Sequence, residues 1–109
     1  MHLYTIEDVP GIKIEKVFGL VKGEIVQSKH IGKDFMAGFK TIVGGEITGY
    51  TEMISEARNI ATARMMQEAQ RLGANAIIGI RYSSSEVMQG AAEILAYGTA
   101  VRIKEPKDE

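Results

Sequence analysis

Residues 49–72 carry the pattern that most constrains how this chain folds. Apolar residues recur there at helical spacing, and charged or polar residues occupy the other positions. Thr48 or Thr51 can cap the segment, Glu52 falls in its expected first turn, and Gly73 follows it as glycine commonly follows a helix. The pattern predicts a long amphipathic helix with one buried face. Its apolar stripe consists of Tyr50, Met53, Ile54, Ala57, Ile60, Ala61, Met65 and Leu72.

A second helix is predicted upstream, over residues 33–45. Phe35, Phe39 and Ile42 recur at i, i+4 and i+7, which is the spacing of one helix face. Asp34 lies near the expected start, where a negative charge suits the helix dipole. The two helices are expected to follow one another along the chain.

Four glycines lie close together between these two helical patterns. A phosphate-binding loop would need a glycine-rich turn ending in Gly-Lys-Ser/Thr directly after a strand, but here Glu46 follows the glycine pair and a helix is predicted before it. We therefore interpret the pair as a helix stop, Gly49 as a tight entry to the next helix, and Gly38 as a point of close packing. The four are Gly38, Gly44, Gly45 and Gly49.

Strands are predicted on both sides of the helical region. Residues 13–28 suit one long strand or two short ones, with a bend or bulge near Gly19 and with Gly23 as a second sign of a bulge or of close backbone approach. Residues 74–87 and 93–104 suit a hairpin that turns around Gln89-Gly90.

Alternation assigns faces to the two hairpin strands. Ile78, Ile80 and Tyr82 should share one face of the first strand. On the second strand, Ala96, Gly98 and Ala100 should form a smooth face against which another surface can pack closely.

The order strand, helix, helix, hairpin predicts an α+β fold, with a small antiparallel sheet and two helices packed on one face. A chain of 109 residues suits a single domain over residues 1–109. An N-terminal arm, residues 1–11, and a tail, residues 105–109, are expected to be peripheral. His2 lies on this arm, which we expect to be frayed.

Composition excludes several classes of function. The formal net charge is −1 and the pI about 6.1, so no basic surface is expected to recruit nucleic acid. Zero cysteines remove disulfides, thiolate nucleophiles and thiolate metal ligands. The chain start lacks a signal-peptide pattern, and no apolar run approaches the ~20 residues needed to cross a bilayer. We expect a cytoplasmic protein without nucleic-acid or membrane partners.

Candidate binding residues fall into two groups. His30 and Asp34 have the i, i+4 spacing of a weak metal pair, although a loop histidine beside a capping aspartate is the simpler interpretation. Glu46, Glu52 and Arg58 are candidate ligand-binding residues near the start of the long helix, where a solvated polar face is the alternative. No catalytic residues are predicted, because the serine run at residues 83–85 has no base beside it in sequence.

Three long motifs resemble the YbjQ-like family. They are "DFMAGFKTIVGGEITGYTE" at residues 34–52, "EARNIATARMMQEAQRLGANAIIGIRY" at residues 56–82, and "GTAVRI" at residues 98–103. The resemblance implies a compact, dodecin-like α+β domain that assembles into a homopentameric ring, with no established activity. The family is sometimes labelled heavy-metal-binding, yet this chain has no cysteine and few soft ligands.

These observations favour an oligomeric, non-enzymatic binding module whose only expected partner is itself. The ligand, a metal ion or a small molecule, would lie at a subunit interface, and its identity stays open. Two alternatives remain: a structural ring that docks other proteins, and an enzyme with an inter-subunit site built from Glu52, Arg58 and His30.

Overall fold

The computed structural model describes residues 1–28, 42–43 and 46–105. The helix α1 spans Thr48–Leu72. Six strands accompany it in this part of the chain: β1 His2–Leu3, β2 Ile14–Ser28, β3 Ile42–Val43, β4 Glu46–Ile47, β5 Ala76–Met88 and β6 Ala91–Ile103. Five residues with predicted roles lie outside the described residues: His30, Asp34, Gly38, Gly44 and Gly45.

A four-stranded sheet in the order β1-β5-β6-β2 forms the main layer. β6 pairs antiparallel with both β2 and β5, whereas β1 pairs parallel with β5. The α+β class is confirmed. The sheet is mixed instead of purely antiparallel, and the described residues contain one helix where two were predicted.

The predicted upstream helix does not include residues 42–43. Ile42 and Val43 form β3 and pair antiparallel with Ile47 and Glu46 of β4. Ile and Val are β-branched and fit an extended backbone better than a helix. The helix-stop interpretation of Gly44 and Gly45 falls outside the described residues and stays a prediction.

The predicted long helix is confirmed, with two corrections. Its buried face consists of residues at i, i+4 spacing, and Leu72 at its last position is 45% exposed instead of buried. Because the helix begins at Thr48, Glu52 lies beyond the first turn. Gly73 follows the helix with a φ of 93°, a conformation that glycine adopts at little cost. The buried helix residues are Met53, Ala57, Ala61, Met65 and Ala69.

Gly23 marks the closest approach between α1 and the sheet. A Cβ at this position would overlap the backbone oxygen of Ala61 and the backbone nitrogen of Met65. Of the two interpretations offered for Gly23, close backbone approach is therefore correct. The bulge predicted near Gly19 lies at the register shift between Val17 and Gly19. The helix rests on the strand without an intervening side chain.

A bulge in β5 changes which isoleucines face the helix. The register with β6 shifts between Ile78 and Arg81, and Gly79 in between has a φ of 62°. Ile77 and Ile80 consequently both pack in the helix-side core, while Ile78 packs on the opposite face. The predicted grouping of Ile78 with Ile80 is wrong, because strict alternation does not continue through a bulge.

The N-terminal arm covers part of the sheet face opposite the helix. Tyr4, Val9 and Ile12 pack against a cluster of four buried residues on that face. His2 pairs with Ala76 in the parallel β1–β5 ladder, so the expectation of a frayed arm is wrong. The cluster consists of Ala76, Ile78, Val101 and Ile103.

The two faces of the sheet differ in how much of them is covered. Ala96 and Ala100, on the face expected to be smooth, are fully buried beneath the chain's own helix, so this face is not available to another subunit. On the opposite face, beyond the arm, Leu20 is 69% exposed and Val26 57% exposed. Two apolar side chains of β2 thus point outward, with the exposed Lys22 and Glu24 between them.

The molecule is elongated. Its radius of gyration is 17.5 Å, with extents of 53, 27 and 18 Å. A compact domain of this length would have a radius of gyration of about 13 Å. A sheet with one helical layer is thin, which explains why apolar residues remain exposed on its other side.

Candidate functional site

An acidic groove lies between the start of α1 and the end of β2. Glu52 and Glu56, one helical turn apart, line the same side of a groove of about 280 Å³. Gln27 and Ser28 contribute its other wall from β2. We call this site the acidic groove; it is lined by Gln27, Ser28, Gly49, Glu52, Met53 and Glu56.

Gln27 gives this groove its second notable feature. Its side-chain oxygen Oε1 is buried and has no hydrogen-bond partner among the described residues. A buried acceptor without a partner costs free energy, because it has lost its bonds to water. Together with the two carboxylates, it makes the groove rich in acceptors.

Arg58 lies on the opposite flank of the helix. It borders a small pocket of about 60 Å³ beside β5, which it shares with Tyr82, Ser83, Ser84 and Ile94. Thr62, one turn further along this flank, lies 2.8 Å through its Oγ1 from the hydroxyl of Tyr82. Glu52 and Arg58 were predicted together, but within one chain the helix separates them.

The remaining predicted residues are not brought to this groove by the described structure. Glu46 belongs to β4, and its side chain is not described. His30 and Asp34 lie outside the described residues. Arg64, which carried no predicted role, lies on the β2 flank and donates through Nη1 to the backbone oxygen of Glu24 at 2.7 Å.

A hydrogen-bonded cluster at the other end of the sheet joins both ends of the described chain. Nε2 of His2 lies 2.9 Å from Oε2 of Glu105, and Nδ2 of Asn75 donates to Oε1 of Glu105 at 3.0 Å. These two contacts, that of His2 foremost, hold the pKa of Glu105 below its ordinary value of 4.5. No sequence pattern indicated this cluster apart from Leu-Gly-Ala-Asn-Ala at residues 72–76, which contains Asn75.

The fold defines a class of small α+β proteins in which one long helix crosses a mixed sheet. A protein of unknown function from Pediococcus pentosaceus ATCC 25745, of the DUF74 family, has a crystal structure of this fold. The two structures align with a TM-score of 0.60 over 95% of this chain and 98% of that chain. At 17% identity, this similarity shows the fold alone.

The chain belongs to the YbjQ family, whose model is described as "Putative heavy-metal-binding" and matches residues 1–104. The UPF0145 protein of Thermotoga maritima is 61% identical over 104 residues, which cover 95% of this chain and 98% of that protein. UPF0145 protein TTHA1944 of Thermus thermophilus is 58% identical over 95% of this chain and 91% of its own length. The resemblance drawn from the three motifs is confirmed.

The family description raises the question of a heavy metal. Among the described residues, no three His, Cys, Asp or Glu side chains lie close enough together to hold an ion. The acidic groove supplies two carboxylates, whereas a structural zinc is usually held by four ligands and soft metals prefer sulfur or imidazole. The described part of one chain therefore does not fit a heavy metal, and we derive no chemistry through one.

The described helix also bears on membrane association. It is neither long enough in apolar sequence nor free enough of charge to cross a bilayer.

Proposed function

We propose that this chain is a non-enzymatic binding module that works as an assembly of identical copies, and that its acidic groove takes a positively charged group. The observation that carries the proposal is that one groove is lined by the two carboxylate side chains of Glu52 and Glu56 and by Gln27, whose buried Oε1 has no hydrogen-bond partner among the described residues.

The chemistry of the groove selects the charge of its occupant. Carboxylates and an amide oxygen accept hydrogen bonds, so an ammonium or guanidinium group, which only donates, complements them. Bonds between such a group and a carboxylate are charge-assisted and stronger than neutral ones. A groove of about 280 Å³ is also much larger than a bare ion needs.

The assembly part of the proposal is supported by the uncovered sheet face. Val17, Leu20 and Val26 are each more than half exposed on a chain with a thin sheet. Exposed Lys22 and Glu24 separate Leu20 from Val26 on this face, so a second copy would cover a surface of mixed apolar and charged character. Resemblance to the YbjQ-like family implies a homopentameric ring, which we adopt as the proposed form of the assembly.

Two measurements on three proteins test this function. The wild type, the double variant Glu52→Gln/Glu56→Gln and the control Asp8→Asn are compared by light scattering and by calorimetry against an alkyl diamine. Asp8 is an exposed carboxylate on the N-terminal arm, so its loss removes one negative charge, against two in the double variant, without touching the groove. Titration with zinc, copper, nickel and cadmium tests whether the positively charged occupant of the groove is a metal ion.

We expect the wild type to have the mass of several copies. The double variant should lose copies from the assembly or lose the heat of diamine binding, and Asp8→Asn should retain both. The proposal is wrong if the double variant matches the wild type in both measurements. If titration of the double variant with a metal ion still releases heat, the metal binds outside the groove.

A further inference from the structure

We propose that copies of this chain join head to tail, with the outer edge of β2 of one copy pairing with the outer edge of β5 of the next, so that the neighbouring Arg58 faces Glu52 and Glu56. This inference rests on the self-assembly in the proposed function and identifies the positively charged group as part of a second copy.

Both outer edges are open in the described structure. β2 has 15 residues, and within the described residues it pairs only with β6. β5 pairs with β1 only through Ala76 and Ile77, so its residues 81–88 have no strand on their outer side among those described. Long unpaired edges are templates for pairing with another chain.

Protection of these edges is partial. β2 carries Lys16 and Lys22 and both strands contain bulges, but proline is absent from both strands. The middle of β5 consists of Ser83, Ser84 and Ser85, whose small side chains let another strand approach. Apolar side chains are also exposed along both strands: Leu20 at 69% and Val26 at 57% on β2, and Val87 at 51% and Met88 at 67% on β5.

The topology fixes the direction of this contact. β2 and β5 both run antiparallel to β6, so they run parallel to one another at opposite sides of the sheet. A copy placed beside another in the same orientation therefore brings β2 against β5 as a parallel pair. Such an interface joins two different patches, and repetition closes into a ring if the rotation allows.

The charges of the two helix flanks suit head-to-tail pairing. The helix flank beside β2 carries exposed Glu52 and Glu56, with Arg64 two turns further along, and the flank beside β5 carries exposed Arg58. Because neighbouring helices then run in the same direction, head-to-tail pairing sets the carboxylates beside the guanidinium at a similar height. Pairing β2 with β2 through a two-fold axis would run the helices in opposite directions and leave Arg58 on the far side of each copy.

The spacing suits contact between helices as well. Three long strands, about 4.8 Å apart, give a repeat of about 14 Å from one copy to the next. A helix with its side chains is about 10–12 Å across, so neighbouring helices leave a gap that long side chains can bridge. Arg and Glu side chains are long enough to meet across this gap, so the helices of neighbouring copies can be in contact above the paired strands.

Charge reversal tests the helix contact. Light scattering is applied to Arg58→Glu, to Glu52→Arg/Glu56→Arg, and to the triple variant that carries all three changes. We expect each reversal alone to give the mass of a single copy and the triple variant to regain the wild-type mass. All three positions are exposed, and circular dichroism confirms that each variant is folded.

Cysteine cross-linking tests the strand pairing in a chain that has no cysteine of its own. Val26 and Ser85 both pair with Glu93 of β6, so they lie at the same height on opposite edges. Val26→Cys mixed with Ser85→Cys and briefly unfolded and refolded together should yield covalent pairs with a short thiol-reactive linker. Neither variant alone should do so, and Val26→Cys mixed with Ala63→Cys, on the exposed outer side of the helix, is the control.

The outcomes separate this inference from the proposed function. If the wild type assembles but the charge reversals leave the mass of the assembly unchanged, head-to-tail edge pairing is overturned and self-assembly stands. The same follows if the Val26→Cys variant links to itself. A wild type that stays a single copy overturns both the pairing and the assembly. Mixed links together with rescue by the triple variant support the inference.

Discussion

At the scale of single residues, the helix can lie directly on the sheet because residue 23 is a glycine and has no side chain. The nearest atoms to an added Cβ belong to the backbone of residues 61–65, including the carbonyl oxygen of Ala61. A helix backbone cannot move aside locally without losing its hydrogen bonds. The position therefore tolerates no larger residue.

Gly23→Ala should lower the free energy of unfolding by about 3 kcal/mol or more, because the added methyl group must push helix and strand apart. Urea unfolding followed by circular dichroism measures the change. Ser85→Thr, which adds a methyl group at an exposed strand position, should change stability little. Equal stability of Gly23→Ala and the wild type would contradict the close approach.

A second residue-scale prediction concerns Glu105, whose pKa is lowered by His2 and then by Asn75. A carboxyl group with a lowered folded-state pKa stabilises the fold above its ordinary value of 4.5, and this contribution is lost as the pH falls through the lowered pKa. An NMR titration should place the Glu105 midpoint below 4.5. His2→Ala and Asn75→Ala should each raise that midpoint, and a wild-type midpoint at or above 4.5 would contradict the cluster.

At the scale of elements, the helix shows how far a periodic pattern can be trusted. The stripe through Met53, Ala57, Ala61 and Met65 was predicted and is buried, because helical spacing places these residues on one face. Leu72 fits the same pattern but, at the last position of the helix, is 45% exposed. Periodicity reports the face on which a residue lies but not how deeply that residue is buried.

Two matched truncations test this difference. Met65 is fully buried, so Met65→Ala should cost about 2–5 kcal/mol of unfolding free energy. Leu72→Ala removes a partly exposed side chain and should cost less than about 1 kcal/mol. Thermal and urea unfolding measure both variants. Similar losses for the two would show that the helix is buried along its whole length.

The strands were predictable in extent but not fully in orientation. Residues 13–28 and the hairpin around Gln89-Gly90 match the observed strands closely. The bulge at Gly79 was not predicted, because a single glycine in a strand pattern fits several local conformations. The β3–β4 pair was missed because Phe35, Phe39 and Ile42 also fit a helical stripe, and short apolar runs suit either structure.

At the scale of the whole molecule, the N-terminal arm is part of the fold. Val9 and Ile12, with Tyr4, cover part of the sheet face that the helix leaves open. No sequence pattern indicated this contact, because an arm without periodicity carries no information about the face it covers. The same applies to the groove: Glu52 and Glu56 were visible as an i, i+4 pair, whereas the partnership with Gln27 depends on packing between distant elements.

Val9→Ala/Ile12→Ala should therefore lower the free energy of unfolding, by about 2 kcal/mol, since both side chains lose buried apolar area. Ile6→Ala is the matched control, because Ile6 is 50% exposed and lies outside this cluster. Differential scanning calorimetry compares the variants. An arm that merely lies against the sheet without stabilising it would give the double variant the stability of the control.

The absence of a side chain at Gly23 has a consequence for second-site suppression. Trimming Ala61, Arg64 or Met65 cannot relieve Gly23→Ala, because the obstacle is main chain, which every amino acid shares. At Gly98, by contrast, the nearest atom to an added Cβ is Cγ2 of Ile77, at 2.8 Å, ahead of the backbone oxygen of Ile78 at 3.0 Å, so shortening residue 77 removes the tightest contact. A genetic screen for suppressors should consequently recover intragenic revertants at position 77 for Gly98→Ala, and only same-site reversion for Gly23→Ala.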